Sequence, residues 1–121
     1  MHSTTKYFGG HSDILGGALM WKEEKNEVFF ERIKDYQITG GSVPSPFDCW
    51  LLNRSLATFH LRMPRHAENA MKLADYLEKH PKISQVYYPG LKSNDGHEVA
   101  KNQMQNGFGG MLSILIEGDE E

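Results

Sequence analysis

The sequence predicts a mixed protein of the α/β or α+β class. Three observations carry that prediction. Four stretches place apolar residues at helical spacing, three short apolar runs have strand character, and segments rich in Gly, Pro and hydroxyl residues separate them. The 121 residues are 39% apolar and 24% charged, a soluble globular composition with enough chain to build a core. Thirteen basic residues against sixteen acidic ones give a net charge of −3, which argues against nucleic acid or a membrane surface as partner. No apolar run nears the roughly 20 residues of a membrane helix. Residues 1–6 have no apolar stretch behind their charge and do not read as a secretory signal. The single cysteine, Cys49, excludes an internal disulfide and suits a reducing compartment, so the expected location is the cytoplasm.

Residues 3–17 combine Ser3, Thr4, Thr5 and Lys6 with the glycine pairs Gly9-Gly10 and Gly16-Gly17 and with His11-Ser12-Asp13. That density favours turns and close backbone approach over regular helix. Residues 14–21 then read as a buried strand weakened by its glycines. From 26 to about 38, Phe29, Ile33 and Tyr36 recur at helical spacing, and Thr39-Gly40-Gly41 stops the helix. The next helix opens on Ser45 as N-cap, with Pro46 at its first position and Asp48 three residues after the cap. Cys49, Leu52, Leu56, Phe59 and Met63 form its apolar stripe, which makes Cys49 an inert buried thiol. Pro64 is expected to kink the run into two hinged helices. Beyond it Ala67, Ala70, Met71, Ala74 and Leu77 continue a stripe to His80.

Residues 83–88 read as a strand, Pro89-Gly90 as a turn, and 97–106 as a short helix closed by Gly107. Residues 111–116 form a last strand, followed by an acidic tail. No later element pairs with or covers that strand, so the expectation is a sequence cut from something longer. No internal repeat is present.

The chemistry starts at Lys6, an amine of the kind that forms Schiff bases. In an extended segment the alternate residues Ser3 and Thr5 present their hydroxyls the same way. Two hydroxyls beside a lysine can hold a phosphate while the amine bonds an aldehyde carbon, which describes an anchor for pyridoxal phosphate. The tetrapeptide by itself is far more often a surface turn with a solvated lysine, since so short a motif is weak. Consecutive His11, Ser12 and Asp13 do not make a catalytic triad, whose members converge in space, and read instead as a hydrogen-bonded turn. The histidines give no metal motif, and one cysteine cannot build a zinc cluster, so no metal site is expected. His60 and His66 fall on different faces of a helix. Asn53-Arg54-Ser55 is an accidental glycosylation match inside a helix. Gly107-Phe108-Gly109-Gly110 lacks the spacing and lysine of a phosphate loop and reads as a bulge entering a strand.

The run from His2 through Ser3-Thr4-Thr5-Lys6-Tyr7-Phe8-Gly9-Gly10-His11-Ser12 to Asp13 resembles the cofactor-lysine segment of the cystathionine γ-synthase/γ-lyase family. These are pyridoxal-phosphate enzymes of methionine and cysteine metabolism. Ser45-Pro46-Phe47-Asp48-Cys49-Trp50-Leu51-Leu52, Arg54 and Leu61-Arg62-Met63 resemble the family's helix motif. Arg65-His66-Ala67-Glu68-Asn69-Ala70, Val86-Tyr87-Tyr88-Pro89-Gly90-Leu91 and Gly107-Phe108-Gly109-Gly110-Met111-Leu112-Ser113 match in the family's order. The resemblance covers essentially the whole chain.

It implies the α/β fold of aspartate aminotransferase-like (fold type I) enzymes. Residues 1–62 would end the large cofactor-binding domain and residues 63–121 would begin the small C-terminal one, with Pro64 near the junction. It implies that Lys6 carries pyridoxal 5'-phosphate through a Schiff base, acts catalytically, and that Ser3 and Thr5 bind the phosphate. It implies a small amino-acid substrate (cystathionine, a homoserine ester, homocysteine or cysteine) and a homotetramer built as a dimer of dimers. The family's ring-stacking aromatic, its aspartate for the pyridine nitrogen and its carboxylate-binding arginine have no counterpart here, so the chain alone is expected to be inactive. Ser55 stands where many members have glycine. The alternative is a non-catalytic binding or assembly module derived from that family.

Overall fold

The strand expected over residues 14–21 shrinks to two residues, Gly17–Ala18 (β2), which pair antiparallel with His2–Ser3 (β1). Glycine contributes no side chain to a sheet face and weakens a strand. Of the apolar residues expected inside, only Ile14 is buried, while Leu15, Leu19, Met20 and Trp21 are exposed. The computed structural model describes residues 1–22 and 27–118, so Asn26 of the first expected helix and the acidic residues 119–121 lie outside it. A single tight turn, Thr4–Phe8, kinked at Lys6, follows β1 directly.

The order then runs α1 (Glu27–Gly40), α2 (Pro46–Leu56), α3 (Phe59–Leu77), β3 (Ile83–Tyr87), α4 (His97–Gln103) and β4 (Ser113–Ile116). The chain divides into two compact units, Met1–Phe59 and His60–Glu121. Among the described residues no helix is long and apolar enough to cross a membrane.

In the first unit both helix ends obey local rules. Gly41 follows α1 at φ +68°, and the N–H groups of Gly41 and Ser42 reach back to the carbonyls of Ile38 and Gln37 at 3.3 and 3.1 Å, a Schellman ending. Ser45 Oγ accepts from the Asp48 N–H at 3.0 Å, so the cap and Pro46 open α2 as expected. The hinge is not at Pro64. The interruption falls at Ala57 and Thr58, where the Thr58 hydroxyl donates to the Ser55 carbonyl at 3.2 Å, and α3 runs through Pro64. A hydroxyl bonding back to the backbone competes with helix propagation. One proline, by contrast, deletes a single backbone bond in a helix whose later turns are held by packing.

The second unit has the core. Ala67, Ala70 and Ala74 form the buried stripe of α3. Ala70 and Ala74 cluster with Val86, Tyr88 and Leu91, against which Met71, Leu77, Ile83, Phe108, Leu112 and Ile114 pack. β3 and β4 pair antiparallel, with Val86 opposite Ile114 and Tyr87 opposite Ser113. The ladder is irregular between Ile83 and Gln85, so the bulge sits in β3 and not in the 107–110 glycine segment, which lies outside any strand. α4 ends at Gln103, three residues before the expected Asn106, because Met104 is already extended at φ −93°, ψ 138°. Asn106 and Gly107 turn the chain at positive φ, +61° and +115°.

Candidate active site

The turn that carries Lys6 is organised by its backbone. The Thr4 N–H donates to the Gly16 carbonyl and the Gly9 N–H to the Thr4 carbonyl, each at 2.9 Å. The Gly10 N–H donates to the Lys6 carbonyl at 2.7 Å. Lys6 itself leaves the helical path at φ −95°, ψ −120°. Of the five residues from Thr4 to Phe8 it is the exposed one: Thr4 is buried, and Thr5, Tyr7 and Phe8 are half-buried. Among the described residues its ammonium has no ion pair or hydrogen-bond partner. Phe8 holds the turn from the other side, with its ring 5.1 Å from His2 and edge-on to Phe59 at 5.1 Å.

Ser3 and Thr5 do not alternate along a strand, because β1 stops at Ser3 and Thr5 falls inside the turn. Ser3 is exposed. The Thr5 hydroxyl faces the second glycine pair: its oxygen accepts the Gly16 N–H at 3.0 Å, while its own hydrogen reaches only the Gly16 carbonyl at 3.4 Å. A well-made bond therefore fills the oxygen and a long one leaves the proton available to a stronger acceptor. An exposed amine next in sequence to a hydroxyl whose proton is free to turn has the groups to bond a carbonyl carbon and to hold an anion.

His11 Nδ1 donates to the Gly9 carbonyl at 2.7 Å, and Ser12 sits at φ +59°. The segment is thus the expected local turn. Cys49 is exposed, which corrects its assignment as a buried thiol. It lines an open cleft of about 380 Å³ together with Thr4, Ile14, Gly16, Asp48 and Leu52. A stripe at helical spacing identifies a face of α2, but the second glycine turn meets that face across a cleft and leaves the thiol accessible. Sequence reasoning missed Thr4 and the specific partnership of Gly16 with Thr4 and Thr5. The signal was there in the glycine pairs, which mark close backbone approach without saying to what.

The whole chain, residues 1–121, matches the family model of the Cys/Met metabolism PLP-dependent enzymes. Cystathionine gamma-synthase from Mycobacterium leprae is 53% identical over 116 residues, which are 96% of this chain and 29% of that protein. Cystathionine beta-lyase from Coxiella burnetii is 48% identical over 118 residues, 98% of this chain and 30% of that one. The structure of cystathionine gamma synthase from Xanthomonas oryzae pv. oryzae in complex with aminoacrylate and cysteine matches with TM-score 0.88 at 41% identity, covering 98% of this chain and 30% of that one. The chain thus spans about 30% of the length of these relatives. The likeness carries the α/β fold class as well as the sequence motifs. This chain belongs to the family of Cys/Met metabolism PLP-dependent enzymes.

Proposed function

We propose that this chain supplies the cofactor-lysine segment of a pyridoxal-phosphate enzyme of sulfur amino-acid metabolism. That enzyme makes or breaks the bond between sulfur and the γ or β carbon of a small amino acid. The observation that carries the reading is Lys6, exposed and unpaired among the described residues, beside a Thr5 hydroxyl whose proton is loosely held. Lys6 and Thr5 fit the cofactor by their chemistry and exposure: the Lys6 amine would bond its aldehyde carbon, and the Thr5 hydroxyl, with that of the exposed Ser3, would donate to its phosphate. When bound, the cofactor supplies an electron sink for a carbanion at the substrate. With the cofactor in place, the Lys6 amine would be the group positioned to move protons at the substrate's α and β carbons. Residues 1–62 belong in this reading to the large domain and 63–121 to the small one, in a cytoplasmic homotetramer.

Relatives bearing γ-synthase and β-lyase names match over the same residues at similar identity, so the reading stops at Cγ–S or Cβ–S chemistry. Borohydride reduction of the protein with pyridoxal phosphate, followed by peptide mapping, tests it. The expected label is on Lys6, and label confined to other lysines refutes the assignment. The 121-residue chain by itself is expected not to turn over cystathionine. A second reading, an assembly module, is favoured by the exposed Phe29, Phe30 and Tyr36 of α1 and Phe47 and Trp50 of α2. Gel filtration with and without a full-length homologue decides it: a stable monomer that binds neither homologue nor cofactor is the outcome against both readings.

A further inference from the structure

We propose that Thr4, Gly9 and Gly16 form a cradle that positions Lys6, with Gly16 as its critical member; this rests on Lys6 being the cofactor lysine. Gly16 spends both of its backbone groups on the two residues before Lys6. Its carbonyl takes the Thr4 N–H at 2.9 Å and its N–H goes to the Thr5 hydroxyl at 3.0 Å. The first glycine pair holds the turn from the other side, Gly9 on the Thr4 carbonyl and Gly10 on the Lys6 carbonyl. The floor of the turn is closed by Thr4 and Ile14, 5% and 7% exposed. Thr4 is therefore pinned at both its N–H and its C=O, two residues from the reactive amine.

Close approach is a requirement of this arrangement. A Cβ on Gly16 would lie 2.9 Å from Thr4 Oγ1, and one on Gly9 would lie 2.7 Å from the Thr4 carbonyl oxygen and 2.9 Å from Ile14 Cδ1. Neither position takes a side chain without displacing Thr4. The two differ in a useful way, because the obstacle at Gly16 is a side-chain atom that can be removed, whereas the obstacle at Gly9 includes backbone. Gly17 offers the spacing control, since a Cβ there meets only the His2 carbonyl at 3.7 Å. Displacing a reacting group by about 1 Å costs up to about 100-fold in rate. Gly16 touches no substrate in this scheme and acts through Thr4 and Thr5, so it is a positioning residue.

The test uses the 121-residue chain, treated with pyridoxal phosphate or with pyridoxal lacking the phosphate, then borohydride. Peptide mass spectrometry gives the label at Lys6 relative to the exposed Lys72, and amide hydrogen exchange at Thr4, Gly9 and Gly16 is followed in parallel. Gly16→Ala is expected to cut the preference of Lys6 for the phosphorylated probe by about tenfold, a fraction of the full misplacement effect, and to speed exchange at Thr4 and Gly16. Adding Thr4→Ala removes Oγ1 and restores both readouts. Adding Thr4→Val keeps an atom in that place and restores neither, and Gly17→Ala leaves both unchanged. Unaltered exchange and labelling in Gly16→Ala, or no recovery with Thr4→Ala, overturns the cradle. Absence of Lys6 preference in the unsubstituted chain removes the labelling arm, and the exchange measurements alone then decide whether Gly16 orders the turn; label confined to other lysines in the full-length enzyme is what overturns the cofactor-lysine reading.

Discussion

The two units of this chain are held together by different means. In the second, side chains do the work: three alanines let α3 come close enough for Val86, Tyr88 and Leu91 to be buried. In the first, α1 has no buried residue among those described, and the order of the Lys6 turn comes from backbone hydrogen bonds to glycines. The difference teaches where each kind of substitution should act. Volume changes should matter most in the second unit, and changes of backbone freedom or capping should matter most in the first.

The sharpest way to break this comparison is to truncate one tyrosine in each unit. Tyr88 is fully buried, and its hydroxyl donates to the Gly109 carbonyl at 2.9 Å with the Ala67 carbonyl at 3.4 Å. Tyr88→Ala is expected to cost about 3–5 kcal/mol in urea unfolding, as large aromatic truncations in cores do. Tyr36 on α1 is 82% exposed, so Tyr36→Ala should stay within about 0.5 kcal/mol. Equal effects would erase the distinction. Overfilling gives the next largest response. Ala74 is fully buried, and Ala74→Leu should lose about 1–3 kcal/mol by forcing α3 away from its neighbours.

These contrasts also explain what the sequence could reveal. The stripe Ala67, Ala70, Met71, Ala74 and Leu77 was legible because its period is that of a helix and its residues are small enough to define a contact face. The stripe through Phe29, Ile33 and Tyr36 was equally periodic and gave the helix, yet it packs on no core within the described residues. Periodicity reports which side of a helix is apolar, and nothing about what covers it. Pro64 misled for a related reason, since local propensity marked the break while a hydroxyl six residues earlier made it. Lys6 was legible as chemistry because it sits in a run of motifs. Its support by Thr4 and Gly16 was not, because close approach between residues twelve apart depends on the absence of a side chain, which leaves no pattern to read.

In the first unit the corresponding test is a cap. Ser45→Ala removes the acceptor of the Asp48 N–H and should lower the stability of that unit by about 1 kcal/mol. The expected site of change is α2, seen as faster amide exchange at Asp48 and Cys49. Loss of protection spread evenly over α3 and β3 would mean that the two units unfold as one.

The smallest effect comes from charge on the solvent side of α3. Glu68 is hydrogen-bonded to Lys72 at 2.5 Å and to Arg65 at 2.9 Å, and these partners, Lys72 foremost, hold its carboxyl below the usual range. Glu68 precedes Lys72 by one helical turn, the favourable order for such a pair. A carboxylate whose folded value is depressed stabilises the fold above its unfolded value, and that contribution disappears as pH falls through the depressed folded value. Glu68→Gln should therefore lower the melting temperature slightly at neutral pH, and the gap to the parent should close on acidification. Because all three side chains are largely exposed, the neutral-pH gap should also shrink in about 1 M salt. A gap that persists in acid, or one rivalling that of Ala74→Leu, would mean that surface charge and not the alanine stripe holds the second unit together.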